Sequence, residues 1–283
     1  MNNPLRVRHP QGVYNNNPAE NVFIAMDDNG NQYGVGTIVY QHQPDLFPDR
    51  PHNMFISLDS ETQAQYLLFG ALMGRAQQLG QEANPTECAR VYTSVMPGDT
   101  VRLAFYDHNG FDITVAENVV QLEIPDFQAR EPMGCSTRSI PLNTDQEQYE
   151  FLYRMQQCGG TYIDKPYLQQ MQIQPHFLAL GLIYTTPQGQ QLIGEIILAG
   201  QGNSCEVVAM YIIPPFRRQG FGRILLHRAM NIVATEGVTV MVGRILSNST
   251  PQCRLAGNFS CRVARQETLF PSVYLDPGMS LNI

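Results

Sequence analysis

Six consecutive residues, Arg217-Arg218-Gln219-Gly220-Phe221-Gly222, combine what is needed to hold a bulky anion. Two guanidinium groups bring charge, and two glycines let backbone amides come close. Arg223 adds a third cation beside them. Upstream, Glu206 to Ile213 is a β-branched and aromatic run, which predicts a strand. Pro214-Pro215 ends it, because neither residue can donate a backbone N–H. Downstream, Ile224, Leu225, Ile232 and Val233 fall at helical spacing, with Gly237 as a natural stop. Strand, glycine loop and helix in that order place unpaired amides and the positive end of the helix dipole at the loop. The chemistry predicted is capture of a pyrophosphate. The spacing is Arg-x-x-Gly-x-Gly, not the longer P-loop pattern or the three-glycine dinucleotide pattern.

The stretch resembles the acetyl-CoA-binding motif of the GNAT (GCN5-related N-acetyltransferase) superfamily. There an apolar strand and a Val/Ile-x-Pro step lead into Arg/Gln-x-x-Gly-x-Gly/Ala at the start of a long helix. Here Tyr211-Ile212-Ile213-Pro214 supplies the strand and the proline step, and Arg217 to Gly222 the loop. The resemblance implies acetyl-CoA as co-substrate. It is held by Gln219 to Gly222 at the diphosphate, with Arg217, Arg218 and Arg223 around it. The N–H groups of Tyr211 and Ile212 face the thioester carbonyl and pantetheine where the strand, ending at Ile212–Ile213, parts from its neighbour. The acceptor implied is a primary amine of a small molecule or peptide.

An amine that attacks a thioester must lose a proton. Glu206 lies fourteen residues before Gly220, the offset of the catalytic glutamate in histone-acetylating members, so the resemblance makes it the candidate base. At the mouth of an apolar strand its carboxyl is expected to resist ionisation. A solvated strand-start glutamate is the plain alternative. Glu195, inside the apolar run Leu192–Leu198, is the rival, because a carboxylate there needs a polar cleft or an exposed face. The family's late-helix tyrosine, which protonates the departing thiolate, has no counterpart in the second half. Arg254 falls at its place if Phe259 is the family's Gly-Phe phenylalanine, and Tyr274 is another possible donor.

Composition sets the frame. The chain has 283 residues and a net charge of −7, so no bulk basic field points to nucleic acid or an anionic membrane. No apolar run approaches the length of a membrane span, and the first residues have no signal-peptide core. Cys88, Cys135, Cys158, Cys205, Cys253 and Cys261 form no C-x-x-C pair. They read as free thiols in a reducing, cytoplasmic setting. No His/Cys pair has ligand spacing, so no metal site is predicted. A homo-oligomer is compatible with the sequence.

The same layout runs through the chain twice. In the first pass, strands are expected at 21–26, 33–40 and 53–58, with a hairpin at Asn29-Gly30. A helix follows over 61–81, a strand at 89–95, a short helix capped by Asp99 over 100–108, and a strand at 111–120. Tyr106 stands five residues before Phe111 as in the family's late helix. Yet Ser57 to Thr62 carries two carboxylates and no glycine where the pyrophosphate loop belongs. That makes the first copy degenerate and Tyr106 a packed ring. Residues 123–134 read as a linker. In the second pass, a strand at 137–141 precedes a helix from Asn143 or Thr144 to Cys158, stopped by Gly159-Gly160, and another over 166–174. Tyr149, Tyr153, Tyr162 and Tyr167 are candidate walls of the acceptor pocket. A hairpin over 177–198, the motif strand and helix, a strand at 238–245, a helix over 248–258 and a hairpin of 261–264 with 272–275 complete it. The fold expected is α/β (α+β): two GNAT-like domains, 1–128 degenerate and 129–283 with the acetyl-CoA loop. Each would be a mixed, mostly antiparallel sheet flanked by helices.

Overall fold

A computed structural model describes residues 4–44, 49–130, 132–158 and 163–276. In chain order the elements are β1 (Arg6–Arg8), β2 (Val22–Met26), β3 (Gln32–His42), β4 (His52–Ser60), α1 (Thr62–Ala83), β5 (Ala89–Tyr92), α2 (Thr100–His108) and β6 (Asp112–Leu122). Then come β7 (Cys135–Ser139), α3 (Asp145–Gln157), α4 (Lys165–Gln172), β8 (Leu178–Thr186), β9 (Gly189–Gln201), β10 (Ser204–Ile212), α5 (Phe221–Thr235), β11 (Val240–Leu246), α6 (Thr250–Gly257) and β12 (Arg262–Leu275). The chain packs as two compact units. One is Met1–Ala116 with Glu267–Ile283, and the other is Glu117–Gln266. The unit borders therefore fall inside the long strands β6 and β12, whereas the sequence suggested one cut at 128/129.

In the first unit the strand order is β1-β2-β3-β4-β5-β12. Its neighbours are antiparallel except β4 and β5, which are parallel and joined through α1. Asn29-Gly30 makes the expected hairpin, with Gly30 at φ 85, a conformation that only glycine adopts without cost. Asp99 caps α2 by accepting from the Arg102 N–H at 3.0 Å. The core is α1 laid on the sheet through Leu68, Leu72 and Ala76, all fully buried. Tyr106 is 1% exposed among Phe69, Phe105 and Phe111, the packed ring expected.

In the second unit the order is β6-β11-β10-β9-β8-β7. Again one pair is parallel, β10 with β11, and α5 makes the crossover. The sheet has helices on both faces. Ile196, Leu198 and Ile212 pack with Leu225, Leu226 and Met230 of α5. Ile197, Ala199, Val208 and Tyr211 pack with Phe151 and Met155 of α3 and Leu168 of α4. A capping box starts α3: the Thr144 hydroxyl accepts from the Glu147 N–H at 3.2 Å, and Glu147 accepts from the Thr144 N–H at 2.9 Å. The glycine stop expected at 159–160 lies outside the described residues. Pro251 sits in the first turn of α6, as its missing N–H allows.

One expected element differs. Instead of a hairpin of two short strands, 262–275 is a single strand. Its exposed polar half, Arg262 to Gln266, has no inward face to reveal it. Pro271 is tolerated within it because what it contributes is a carbonyl, which accepts from the Thr93 N–H at 3.1 Å.

Candidate active site

The centre of the second unit is the place where β10 leaves β11. The two strands pair only from Ser204–Val240 to Val207–Gly243. Beyond that, β11 stays with β6, while β10 continues along β9 to Ile212. The cause is a bulge. Val207 faces Leu198 and Ala209 faces Ile197, so Val208 is an extra residue in β10. An extra residue bends and twists its strand. A gap thus opens on the β11 side of residues 209–212, where the backbone has no registered partner. Ile213 donates its N–H to Ile193 O at 2.9 Å, towards β9. By alternation Tyr211 also points its N–H at β9, and the amides turned to the gap are those of Met210 and Ile212. Of the two amides expected at the gap, Ile212 is there, and Met210 takes the place foreseen for Tyr211.

The loop after β10 delivers α5 to the same gap. Pro214–Phe216 forms a 3-10 turn. Arg218 and Gly220 are both left-handed, at φ 63 and 87, and Gly220 is the N-cap of α5 with no side chain capping it. The first helical bond runs from the Ile224 N–H to Gly220 O at 3.2 Å. The amides of Phe221, Gly222 and Arg223 therefore precede any intrahelical acceptor. At Gly222, a Cβ would come within 3.2 Å of the Met210 methyl and 3.8 Å of Ile212, so this glycine lets α5 lie close on β10. Phe221 is buried with Phe216 and Tyr184, and offers its amide, not its ring. Gln219 folds back to donate to Pro215 O at 2.9 Å.

The three arginines divide their tasks. Arg217 is committed to the protein: its Nε donates to Ile212 O at 2.8 Å and a terminal nitrogen to Cys158 O at 2.5 Å. It ties the loop to the end of β10 and to the C-cap of α3. Arg218 and Arg223 are exposed beside the open amides, and place positive charge there.

The two candidate bases sit in different surroundings. Glu206 is half-buried and forms an ion pair with Arg244 of β11. The apolar mouth expected around it is replaced by the Arg244 guanidinium. Glu195 is fully buried on the α3 face. Arg154 grips it with both ends of its fork, Nε to Oε2 at 2.9 Å and the terminal nitrogen to Oε1 at 2.8 Å. The Tyr211 hydroxyl donates to Oε2 through a short bond. Hydrogen bonding to Glu195 holds Arg154 even more firmly protonated than usual. Burial, and then the bond to Glu195, push the Tyr211 phenol well above its ordinary range. Burial also raises the Cys158 thiol nearby. Sequence reasoning missed Arg154 and Arg244 as partners. The available signal was that a glutamate inside an apolar strand requires a counter-ion from the element that covers it.

The other candidates are spread out. Tyr149 and Tyr153 stack at 6.5 Å on the exposed side of α3. With Ile163, Asp164 and Lys165 they line a cavity of about 250 Å³. Tyr167 is on the border of exposure, and Tyr162 lies outside the described residues. Arg254 is exposed in the last turn of α6. Tyr274 belongs to the first unit, with the Arg50 guanidinium 3.7 Å over its ring. In that unit β4 and β5 also pair only as far as Phe55–Tyr92, but Asp59 and Glu61 precede α1 where the second unit has glycines.

Residues 145–256 match the family model described as the Acetyltransferase (GNAT) family. This segment runs from α3 through α6 and contains the whole glycine loop. No curated protein sequence matches the chain. Among solved structures it is similar to Eis1 from Mycobacterium abscessus, at 12% identity and TM-score 0.56, over 94% of this chain and 73% of that one. It is similar to a probable N-acyltransferase from Enterococcus faecalis, at 12% identity and TM-score 0.53, over 90% of this chain and 62% of that one. A GCN5-related N-acetyltransferase from Sphaerobacter thermophilus covers 94% of this chain and 84% of its own, at 13% identity and TM-score 0.49. At such identities the likeness is one of fold. The family match is the stronger finding: residues 145–256 carry a GNAT-family acetyltransferase domain, and that family's work is acyl transfer.

Proposed function

We propose that the protein moves an acetyl group from acetyl-CoA to a primary amine of a small molecule or peptide, by direct attack of the amine on the thioester. The observation that carries this is the gap between β10 and β11 with the uncapped start of α5 beside it. The residues present suit the co-substrate. The amides of Phe221, Gly222 and Arg223 would hold its diphosphate, with Arg218 and Arg223 balancing charge. The Met210 and Ile212 amides would receive the pantetheine and thioester, where a donor can stabilise charge that develops on the carbonyl oxygen. Arg217 keeps loop and strand end in one geometry. Glu206 is the base in this reading, acting from its ion pair with Arg244, through water where the amine is out of reach. The cavity lined by Tyr149 and Tyr153 is the proposed acceptor side. A cytoplasmic setting goes with it, since all six cysteines are free thiols. Among the described residues no helix is long and apolar enough to cross a membrane.

A second reading is a protein that binds acetyl-CoA as a sensing or structural ligand without transfer. The observation in its favour is that both candidate bases are already engaged by arginines. A thiol-release assay with acetyl-CoA and a panel of polyamines, amino acids, aminoglycosides and peptides separates the two. Amine-dependent release supports transfer. Stabilisation by CoA without release against any amine overturns it in favour of the second reading.

A further inference from the structure

Three separate stretches of the first unit bring metal-ligating side chains to one spot. His42 is the last residue of β3 and His52 the first of β4, and they face each other directly across the antiparallel pair. Their rings stack at 5.1 Å. Glu87 arrives from the segment after α1, two residues before Ala89, which is registered against His52. One nitrogen of each imidazole and one carboxylate oxygen all lie within 4.8 Å of one another. His52 Nε2 is 2.8 Å from Glu87 Oε2, and its other nitrogen is 2.7 Å from the Tyr40 hydroxyl. A cavity of about 450 Å³ opens beside the cluster, with His42, Glu87, Thr86, Asp49 and Cys88 on its wall.

A simple His52–Glu87 ion pair accounts for one imidazole and leaves the second unexplained. Two imidazoles and a carboxylate brought together from three stretches of chain, beside a cavity, offer one cation a converging set of ligand atoms. We infer that His42, His52 and Glu87 form a binding site for a divalent transition metal of the zinc class, with a fourth position open to the cavity. The donor set decides the class. Two nitrogens and one oxygen suit zinc and its neighbours, whereas magnesium and calcium prefer oxygen throughout. Metal–ligand bonds of about 2.0–2.2 Å draw the three groups closer than they now stand, which rotation of the exposed His42 and Glu87 side chains permits. Binding through Nε2 places the His52 proton on Nδ1, facing the Tyr40 oxygen. That is the outer contact that fixes the tautomer of a ligating histidine. The Tyr40 hydroxyl oxygen has the lone pairs to accept that proton. The site is independent of the acyl-transfer reading.

The test uses the full chain, stripped with chelator and dialysed. Zn(II) is titrated by calorimetry, and Co(II) is followed by its visible ligand-field spectrum. The expected result is saturable binding of one equivalent. It should be at least tenfold weaker in Glu87→Gln and in His42→Ala, both at exposed positions, and weaker by about tenfold in Tyr40→Phe. Absence of saturable binding overturns the inference. So does binding equally tight in Glu87→Gln and His42→Ala, which would put the metal on the cysteines or elsewhere. Circular dichroism of each variant verifies that its fold is retained.

Discussion

Replacing Arg154 by Met tests what Glu195 is for. The substitution keeps the stem that packs on the sheet and removes the guanidinium. The Glu195 carboxylate is 0% exposed, so it cannot turn to water, and it keeps only the Tyr211 hydroxyl. Removing one partner of a buried ion pair costs about 3–5 kcal/mol. Arg154 is 35% exposed and already partly screened, which places the expected loss at the lower end, about 3 kcal/mol. The opposite change, Glu195→Gln, is milder. The amide still accepts from Tyr211, and the freed guanidinium reaches solvent, so the loss is about 1 kcal/mol. The double variant removes the stranded charge and should recover about 2 kcal/mol relative to Arg154→Met. Urea unfolding of all four proteins, extrapolated to water, measures these differences. If Arg154→Met costs under about 1 kcal/mol, or the two changes simply add, the ion pair does not have the role assigned to it. Turnover completes the test. Glu195 as a positioning residue predicts a kcat for Glu195→Gln within a few-fold of the parent. A hundredfold loss with stability retained would make it the base instead.

Further expectations concern the loop, the other glutamate and a buried thiol. Arg217→Ala frees both Ile212 O and Cys158 O, and should weaken CoA binding at least tenfold; unchanged affinity by calorimetry would remove Arg217 from the site. Glu206→Gln should lower kcat more than it raises KM, and equal turnover in steady-state assays would dismiss Glu206 as base. Burial pushes the Cys205 thiol up to about 12 from its ordinary 9.0. Above pH 9 the unfolded chain then releases a proton that the folded chain keeps, so stability present at neutral pH is lost as pH rises towards 12, at up to about 1.4 kcal/mol per unit. Cys205→Ala should flatten that alkaline decline in denaturation measured across pH, and an identical decline would show that other groups cause it.

The sequence made the second unit's motif legible because its signals are local. A proline step, a left-handed glycine and an amphipathic helix each announce themselves within a few residues. The hairpin at Gly30 and the caps at Asp99 and Thr144 were readable for the same reason. Pairings across long separations were not. Arg154 meets Glu195 across 41 residues, and the partner of Glu206 lies on the strand beyond the crossover helix. His42, His52 and Glu87 share no spacing that marks a ligand set, since strand register and not sequence distance joins them. The strand 262–275 was read as two pieces because half of it lacks the alternation that a buried face imposes.

The extra residue at Val208 also has a consequence for side-chain parity. Along a strand, neighbours point to opposite sides, but Val208 and Ala209 both lie on the α3 face with Ile197, so the bulge absorbs the extra residue and later residues keep their sides. Deleting Val208 would leave Val207 against Leu198 and Ala209 against Ile197 in one regular ladder, with Tyr211 still beside Glu195 and Ile212 still towards α5. The same deletion would keep the Met210 and Ile212 amides turned to the gap but remove the bend and twist that open it. A single valine thus bends the strand without disturbing either core, and shortening the strand by one residue would close the cleft while leaving its lining residues in place.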